Sequence, residues 1–363
     1  MRKSITDRRN TAFLVGAGLL AACLFGAATP ASKALLQNVA PQALAGLLYI
    51  GAAIGVLPIV LRERSFRLPW RAGRRTTLLL AGSVVCGGVL GPWLLLLGLR
   101  VATAGSVSLF LNLELVATVL LGRLIFREHL STRGWIGAAG TLVAAVLLAA
   151  GEGQAGIMAA LLVGAGCFFW GFDNHFTSLI DGITPAQTTL CKGVVAGLFN
   201  LIMGGGVLGG VGDLTSALLA LVVGGLSYGI SIALYITAAQ GLGASRSQMV
   251  FSTAPFFGLV LSLLFLGESF TGVQAGAAVL VASSLALLFS EKHGHIHRHV
   301  PMNHQHLHRH DDDHHDHEHA DVAISTAHAH SHSHKTVAHE HVHWPDLHHR
   351  HNHEEREPDK PSD

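Results

Sequence analysis

Acidic residues are nearly missing from the first four fifths of this 363-residue chain: residues 1–290 hold 9 Asp and Glu against 17 Lys and Arg. Soluble domains carry about a quarter of their residues as charges, so that stretch is not an ordinary water-soluble domain. Cysteine is scarce as well. Cys23, Cys86, Cys167 and Cys191 stand singly in apolar segments with no CxxC pair, which excludes a disulfide framework and a thiolate metal site and leaves small buried apolar residues. Catalytic signatures are missing too. There is no Gly-rich phosphate loop ending in Lys, no nucleophile elbow on a strand-to-helix turn and no HExxH. These absences argue against an enzyme and against ATP as a power source. Any transport would run on gradients, with no cofactor required. No feature points to nucleic acid.

What the chain does have is apolar length. A hydrocarbon core of about 30 Å needs roughly 20 apolar residues of helix. Ten stretches qualify, near 11–36, 42–61, 76–99, 102–126, 133–150, 155–179, 185–209, 216–239, 246–267 and 272–290. Short links such as QNVAP and GEGQAG make neighbouring spans antiparallel. The basic start MRKSITDRR, the six arginines from Arg62 to Arg75, and Arg123, Arg127 and Arg133 all fall on one side. Positive charge marks the cytoplasmic side, so both termini are expected there, in an inner (plasma) membrane. The apolar run ending LAAC at Cys23 also resembles a lipoprotein signal, but it continues through LFGAATPASKALL, longer than a cleavable signal core. A first transmembrane span is the favoured reading. Gly87/Gly91 and Gly225/Gly229 read as close helix packing.

Sliding the chain on itself by 140 residues lays ATAGSVSLFLNLELVATVLLGRLIFREHLS (102–131) over LGASRSQMVFSTAPFFGLVLSLLFLGESFT (242–271), with Ala104 over Ala244 and Glu128 over Glu268. CLFG (23–26) and CFFWG (167–171) occupy matching places in the first span of each half. Five spans per half is odd, so the second half enters the membrane upside down. Inverted repeats around a site near the midplane are an architecture of secondary transporters. Through these features residues 11–290 resemble the EamA branch of the drug/metabolite transporter superfamily. The resemblance implies a carrier that moves small metabolites, such as amino acids and related compounds, by alternating access. It also gives Pro255 as the proline typical of that family's ninth span. The first half departs, with Leu115 at the proline position and Glu114 beside it.

Ionisable groups near a bilayer centre are expensive and face a cavity or a partner. Glu114 sits mid-way along span four and is read as a proton-coupling carboxylate or the partner of a cationic solute; the alternative is a structural helix-to-helix hydrogen bond. Lys192, in span seven, either pairs with an acid or snorkels to the interface; Lys33, near the end of span one, is expected to snorkel. WGFDNHF places Trp170, Asp173 and Asn174 late in span six, lining a polar cavity or marking the approach to the surface. His175 reads as a packing histidine. Pro30 and Pro255 free backbone carbonyls and read as hinges; Arg100 and Arg246 are expected at interfaces.

Residues 291–363 hold 23 of the 25 histidines. His-x-His units recur between Asp, Glu and Ser with no apolar period, so this tail should be disordered on its own. Imidazole suits Zn, Ni, Co and Cu, with carboxylates as further ligands. The ligand candidates are His295, His297, His299, His304, His306, His308, His310, His314, His315, His317, His319, His328, His330, His332 and His334, in several exchangeable sites. The alternative is a polar tail whose charge rises as imidazoles protonate below about pH 6.5.

The expectation is an all-α integral membrane protein: ten transmembrane helices as two inverted five-helix repeats (1–150 and 151–290), then a disordered His-rich cytoplasmic tail (291–363). Its function is expected to be gradient-driven transport, in the export direction, of a small-molecule solute across the lipid bilayer. The competing reading is a divalent-metal exporter loaded by the tail. A homodimer is the oligomer considered.

Overall fold

A computed structural model describes residues 5–63, 66–125, 131–180, 182–207, 210–242 and 244–289. In the tail it describes 293–299, 302–308, 328–334 and 337–343. Ten helices among these are long and apolar enough to cross a membrane: Thr11–Leu35, Pro41–Arg62, Arg74–Val101, Ala104–Leu124, Thr132–Gly151, Gly153–Ser178, Pro185–Gly205, Leu214–Ala238, Ser247–Leu266 and Gly272–Phe289. They are spans one to ten below.

Polar residues set the starts of several spans. Thr103, Ser131, Thr184 and Asp213 accept from the backbone N–H three residues on and so cap spans four, five, seven and eight. Such caps satisfy donors that the first helical turn cannot pair. Asp213 lies in a connection outside the membrane-spanning segments, and the hydrogen bonds from Ser216 hold its carboxyl below the usual range. The first span runs unbroken as helix from Ile5 through Cys23 to Gly26, then re-forms at Ala28–Leu35 with Pro30 in its first turn.

Two irregularities recur at the repeat interval. Span four is interrupted at Leu111–Asn112 and span nine at Ser252–Thr253. The second break is explained by Pro255, at the start of Ala254–Leu266; the first forms without a proline. Spans three and eight both loosen into a π-helical turn, Val84–Leu90 and Gly225–Ile230. Such turns leave carbonyls out of the regular ladder and occur often at functional positions. The two five-helix halves therefore share these two defects in the same order, while a further π-helical turn in span seven, Ile202–Val207, has no counterpart in span two.

Glycine sets how closely the spans approach. A Cβ on Gly55 would stand 2.6 Å from the Gly225 carbonyl oxygen, one on Gly193 2.7 Å from that of Tyr49, and one on Gly91 2.6 Å from Trp170 Nε1. A Cβ on Gly87 would collide with the Asp173 carboxylate. The two sequence pairs thus do allow close packing, against span six for Gly87/Gly91 and against span two for Gly225/Gly229. Spans two, seven and eight are bound by backbone contact, as expected where lipid removes the hydrophobic incentive to associate.

In the tail the described residues are four strands, β1 (His293–His299), β2 (Met302–His308), β3 (His328–His334) and β4 (Val337–His343). They pair as two separate two-stranded ladders, β1 with β4 and β2 with β3. An isolated two-stranded ladder is marginal in water, in keeping with a segment that builds no core of its own.

Candidate functional site

The break at Leu111–Asn112 decides where Glu114 lies. It begins a new helix, Leu113–Leu124, with Glu114 in its first turn, where the partial positive charge of a helix N-terminus favours a carboxylate. Glu114 is half-exposed deep in the bundle. Asn174 donates Nδ2–H to Glu114 Oε1 at 3.0 Å and also reaches Thr118 Oγ1 at 3.0 Å. Span six therefore presents consecutive residues to different partners, because Asp173 turns towards spans three and seven.

Lys192 pairs with an acid and does not snorkel. Its Nζ donates to both Asp173 oxygens at 2.7 Å, with the two side chains 15% and 11% exposed. Ser83 Oγ donates to Asp173 Oδ1, and Thr177 Oγ1 to the same oxygen at 3.1 Å. A buried charge pair is tolerable only when its remaining bonding capacity is met, and here two hydroxyls meet it. Trp170 donates Nε1–H to the Gly87 carbonyl at 3.0 Å and Tyr49 donates its hydroxyl to the same oxygen. That carbonyl lies in the π-helical turn of span three, so the loosened helix supplies the acceptor. Below it, Gln42 donates to Asn200 Oδ1 and Asn200 donates to the Gly88 carbonyl, both at 2.9 Å.

Half-exposed side chains from both halves converge here. Phe25, Tyr49, Glu114, Lys192, Tyr228, Tyr235, Gln248 and Phe251 are all partly accessible although far from the ends of the bundle. Their rings are linked, Phe25–Tyr228 at 5.5 Å, Phe25–Phe251 at 5.2 Å, Tyr49–Tyr228 at 6.1 Å and Tyr235–Phe251 at 4.9 Å. Tyr49 and Tyr228 both lie within electrostatic range of Glu114, and Glu114 within that of Asp173 and Lys192. A polar strip and an aromatic cluster thus lie beside one another inside the bundle. By contrast, a groove of about 960 Å³ between spans three and seven, lined by Val85, Trp93, Val194 and Phe199 among others, holds no carboxylate or ammonium. It faces outwards, and the chemistry lies elsewhere.

Hydrogen bonds between spans lace the arginine-poor end of the bundle together. Glu268 accepts from the Ala104 and Gly105 N–H groups at 2.7 and 2.9 Å. Lys33 donates to the Leu99 and Ala102 carbonyls, both at 2.7 Å. This corrects the expectation that Lys33 snorkels: unpaired carbonyls at the end of span three lie within reach and replace water. Ser106 donates to Glu152, and Gln274 donates to Ser106 Oγ at 2.8 Å. On the arginine-rich side Glu63 accepts from Thr184 Oγ1 at 2.8 Å and from Gln187 Nε2 at 2.7 Å.

Of the residues singled out from sequence, Trp170, Asp173 and Lys192 form one connected group and Glu114 and Asn174 a second beside it. Pro255 stands apart, shaping span nine. His175 bonds the Gly171 carbonyl one turn back at 2.7 Å, as a packing histidine does. Tyr49, Ser83, Thr118 and Thr177 were missed. A lone tyrosine in an apolar span was the available signal for Tyr49; single hydroxyls in Ala- and Gly-rich helices gave none. Glu268 was noticed only as a repeat marker, and its counterpart Glu128 lies outside the described residues, as do His310, His314, His315, His317 and His319. Among the described residues no three His, Cys, Asp or Glu side chains come together as a metal site.

The EamA-like transporter family matches residues 12–150 and 157–290. An "Uncharacterized transporter" of Methanothermobacter thermautotrophicus is 28% identical over 291 residues, 75% of this chain and 84% of that protein. A solved crystal structure shares the fold with a TM-score of 0.56 at 18% identity, over 76% of this chain and 97% of its own. Two family matches that together cover nearly all of the ten-span region place this chain in the EamA-like transporter family, a membrane transporter of the drug/metabolite type.

Proposed function

We propose that this transporter is a secondary-active exporter of a small organic metabolite, driven by exchange against protons at Glu114. The observation that carries the reading is Glu114 itself: an acid midway through a span, partly exposed deep in the bundle, bonded by the Asn174 amide that also bonds Thr118, and not by a cation. Asp173 is neutralised by Lys192, which leaves Glu114 as the group whose proton can be exchanged for contacts to a solute. Trp170, Asn174 and the Tyr49–Tyr228 wall would supply those contacts. The tie at Glu268 and Lys33 supports loading from the arginine-rich side. By the positive-inside rule that side is the cytoplasm, with both termini there and the plasma membrane as the site of action.

The test is solute accumulation by inside-out proteoliposomes under an imposed proton gradient, with a panel of amino acids and related metabolites. Glu114→Gln is expected to abolish gradient-driven accumulation while keeping solute exchange at equilibrium. Full accumulation by that variant overturns the coupling role.

The tail is proposed to bind divalent transition metal through its histidines. Metal as the transported species has less support, because the described membrane residues offer isolated ligands only. Unchanged metal tolerance of cells after deletion of 291–363 removes the metal-export reading.

A further inference from the structure

The groove between spans three and seven is no part of the interior site, and its lining is chemically uniform. Gln42 and Thr77 are its only polar side chains, and both are engaged within the protein. Gln42 donates to Asn200, and Thr77 Oγ1 lies 3.2 and 3.0 Å from the Pro69 and Gly73 carbonyls. An occupant therefore meets apolar surface along its body. The lining runs from Thr77 to Trp93 on span three and from Leu190 to Met203 on span seven. At 1.5 Å per residue these stretches are about 24 and 20 Å long, more than the roughly 15 Å depth of one hydrocarbon leaflet.

The mouth of the groove on the arginine-rich side is a different environment. The link from span two crosses the start of span seven, where Glu63 accepts from Thr184 and Gln187 and the Arg67 N–H donates to Gln187 Oε1. It then turns over the groove as the short 3-10 helix Pro69–Arg71, with Pro69 and Trp70 in the lining. Arg74 begins span three and precedes Thr77, Ala81 and Val84 of the lining at helical spacing, which puts it on the groove-facing stripe. Arg71, Arg74 and Arg75 are exposed, and among the described residues none of them pairs with an acid.

We propose that this groove is a phospholipid site: it holds an acyl chain of an anionic phospholipid from the arginine-rich leaflet, with the lipid phosphate on Arg71 and Arg74. The head group follows from charge, since the guanidinium fork matches phosphate oxygens and a basic cluster at the end of a transmembrane helix attracts anionic lipid. The tail follows from the lining. An apolar chain leaves no polar group unpaired there, whereas a polar solute would find no partner for its own groups.

The experiment places the full-length protein, with Trp135 and Trp344 changed to Phe, in phosphatidylcholine vesicles. The vesicles carry equal small fractions of either dibrominated phosphatidylglycerol or dibrominated phosphatidylcholine. Bromine quenches nearby indoles, and Trp70 and Trp93 line the groove. The anionic lipid is expected to quench at the lower fraction. Arg71→Ala and Arg74→Ala should each reduce that preference about fivefold, the effect of one basic side chain at an anionic surface. Ala81→Phe or, from the opposite wall, Val194→Phe fills the groove and should remove the preference with both arginines in place. Arg133→Ala, on the same side but at the start of span five, should leave it unchanged. Equal quenching by the two lipids, or an equal loss of preference in Arg133→Ala, overturns the site in favour of unselective surface lipid. A preference that survives both groove-filling variants overturns it too, because the arginines then act without the groove. Protection of both indoles from either lipid, together with a dimeric mass by light scattering, means that a second copy covers the groove and overturns the lipid as its occupant.

Discussion

The Asp173–Lys192 pair offers the sharpest test of how the interior is held. Both Asp173 oxygens lie 2.7 Å from Lys192 Nζ, and the side chains are 11% and 15% exposed. Removing one partner of a buried pair leaves an uncompensated charge and costs about 3–5 kcal/mol, whereas replacing both by neutral groups of similar size is often neutral or better. Lys192→Met and Asp173→Asn should each therefore lose about 3–5 kcal/mol. The double variant should lose less than either single one, since the asparagine keeps bonding capacity for Ser83 and Thr177. Unfolding by titration with a denaturing detergent in mixed micelles reads these differences as a double-mutant cycle. Additive losses, with the double variant the worst of the three, would show that the ion pair is not what the charges are for. Losses below about 1 kcal/mol in both singles would mean that water or lipid headgroups reach the pair, as at exposed sites.

Other outcomes follow from the same geometry. Gly55→Leu should block folding, since even a Cβ there meets the Gly225 carbonyl at 2.6 Å, while Gly276→Ala, with nothing within 4 Å, should gain about 0.5–1 kcal/mol, the helical preference of alanine over glycine; yield and thermal unfolding in detergent separate the two. Glu268→Ala removes the acceptor for two N–H groups at the start of span four and should cost about 0.5–2 kcal/mol, the range for a lost N-cap. It should also raise labelling, from the arginine-poor side, of a cysteine substituted at Tyr228; unchanged labelling would refute the tie as a seal. Asp213 has a depressed carboxyl, so its cap is present above the ordinary carboxylate range and lost only as pH falls through the lower folded value. Asp213→Asn should therefore remove an acid-side step from the stability–pH curve, and an unaltered curve would refute the assignment. Metal held by the tail should dissociate as pH falls below about 6.5, where imidazoles protonate, and calorimetry at graded pH measures it.

Sequence by itself determined the ten crossings, because hydropathy over twenty residues answers to the bilayer and not to neighbouring helices. It also determined the opposed halves, since an odd number of spans per repeat leaves no other arrangement. Glu114 was legible for a related reason: a lone acid in an apolar span is expensive wherever it packs. The partners were not legible. Whether Lys192 snorkels or pairs depends on which face of span six turns towards span seven, and that depends on Gly87 and Gly88 letting span three close in. Lys33 needed the carbonyls of Leu99 and Ala102 at a helix end sixty-odd residues away, and Glu268 needed two N–H groups across the repeat boundary. The break at Leu111–Asn112 has no proline to announce it; there the Asn112 side chain bonds back to the Leu109 carbonyl. Composition and length act along the chain, whereas hydrogen-bond partners are chosen by proximity across it; only the tertiary structure could decide them.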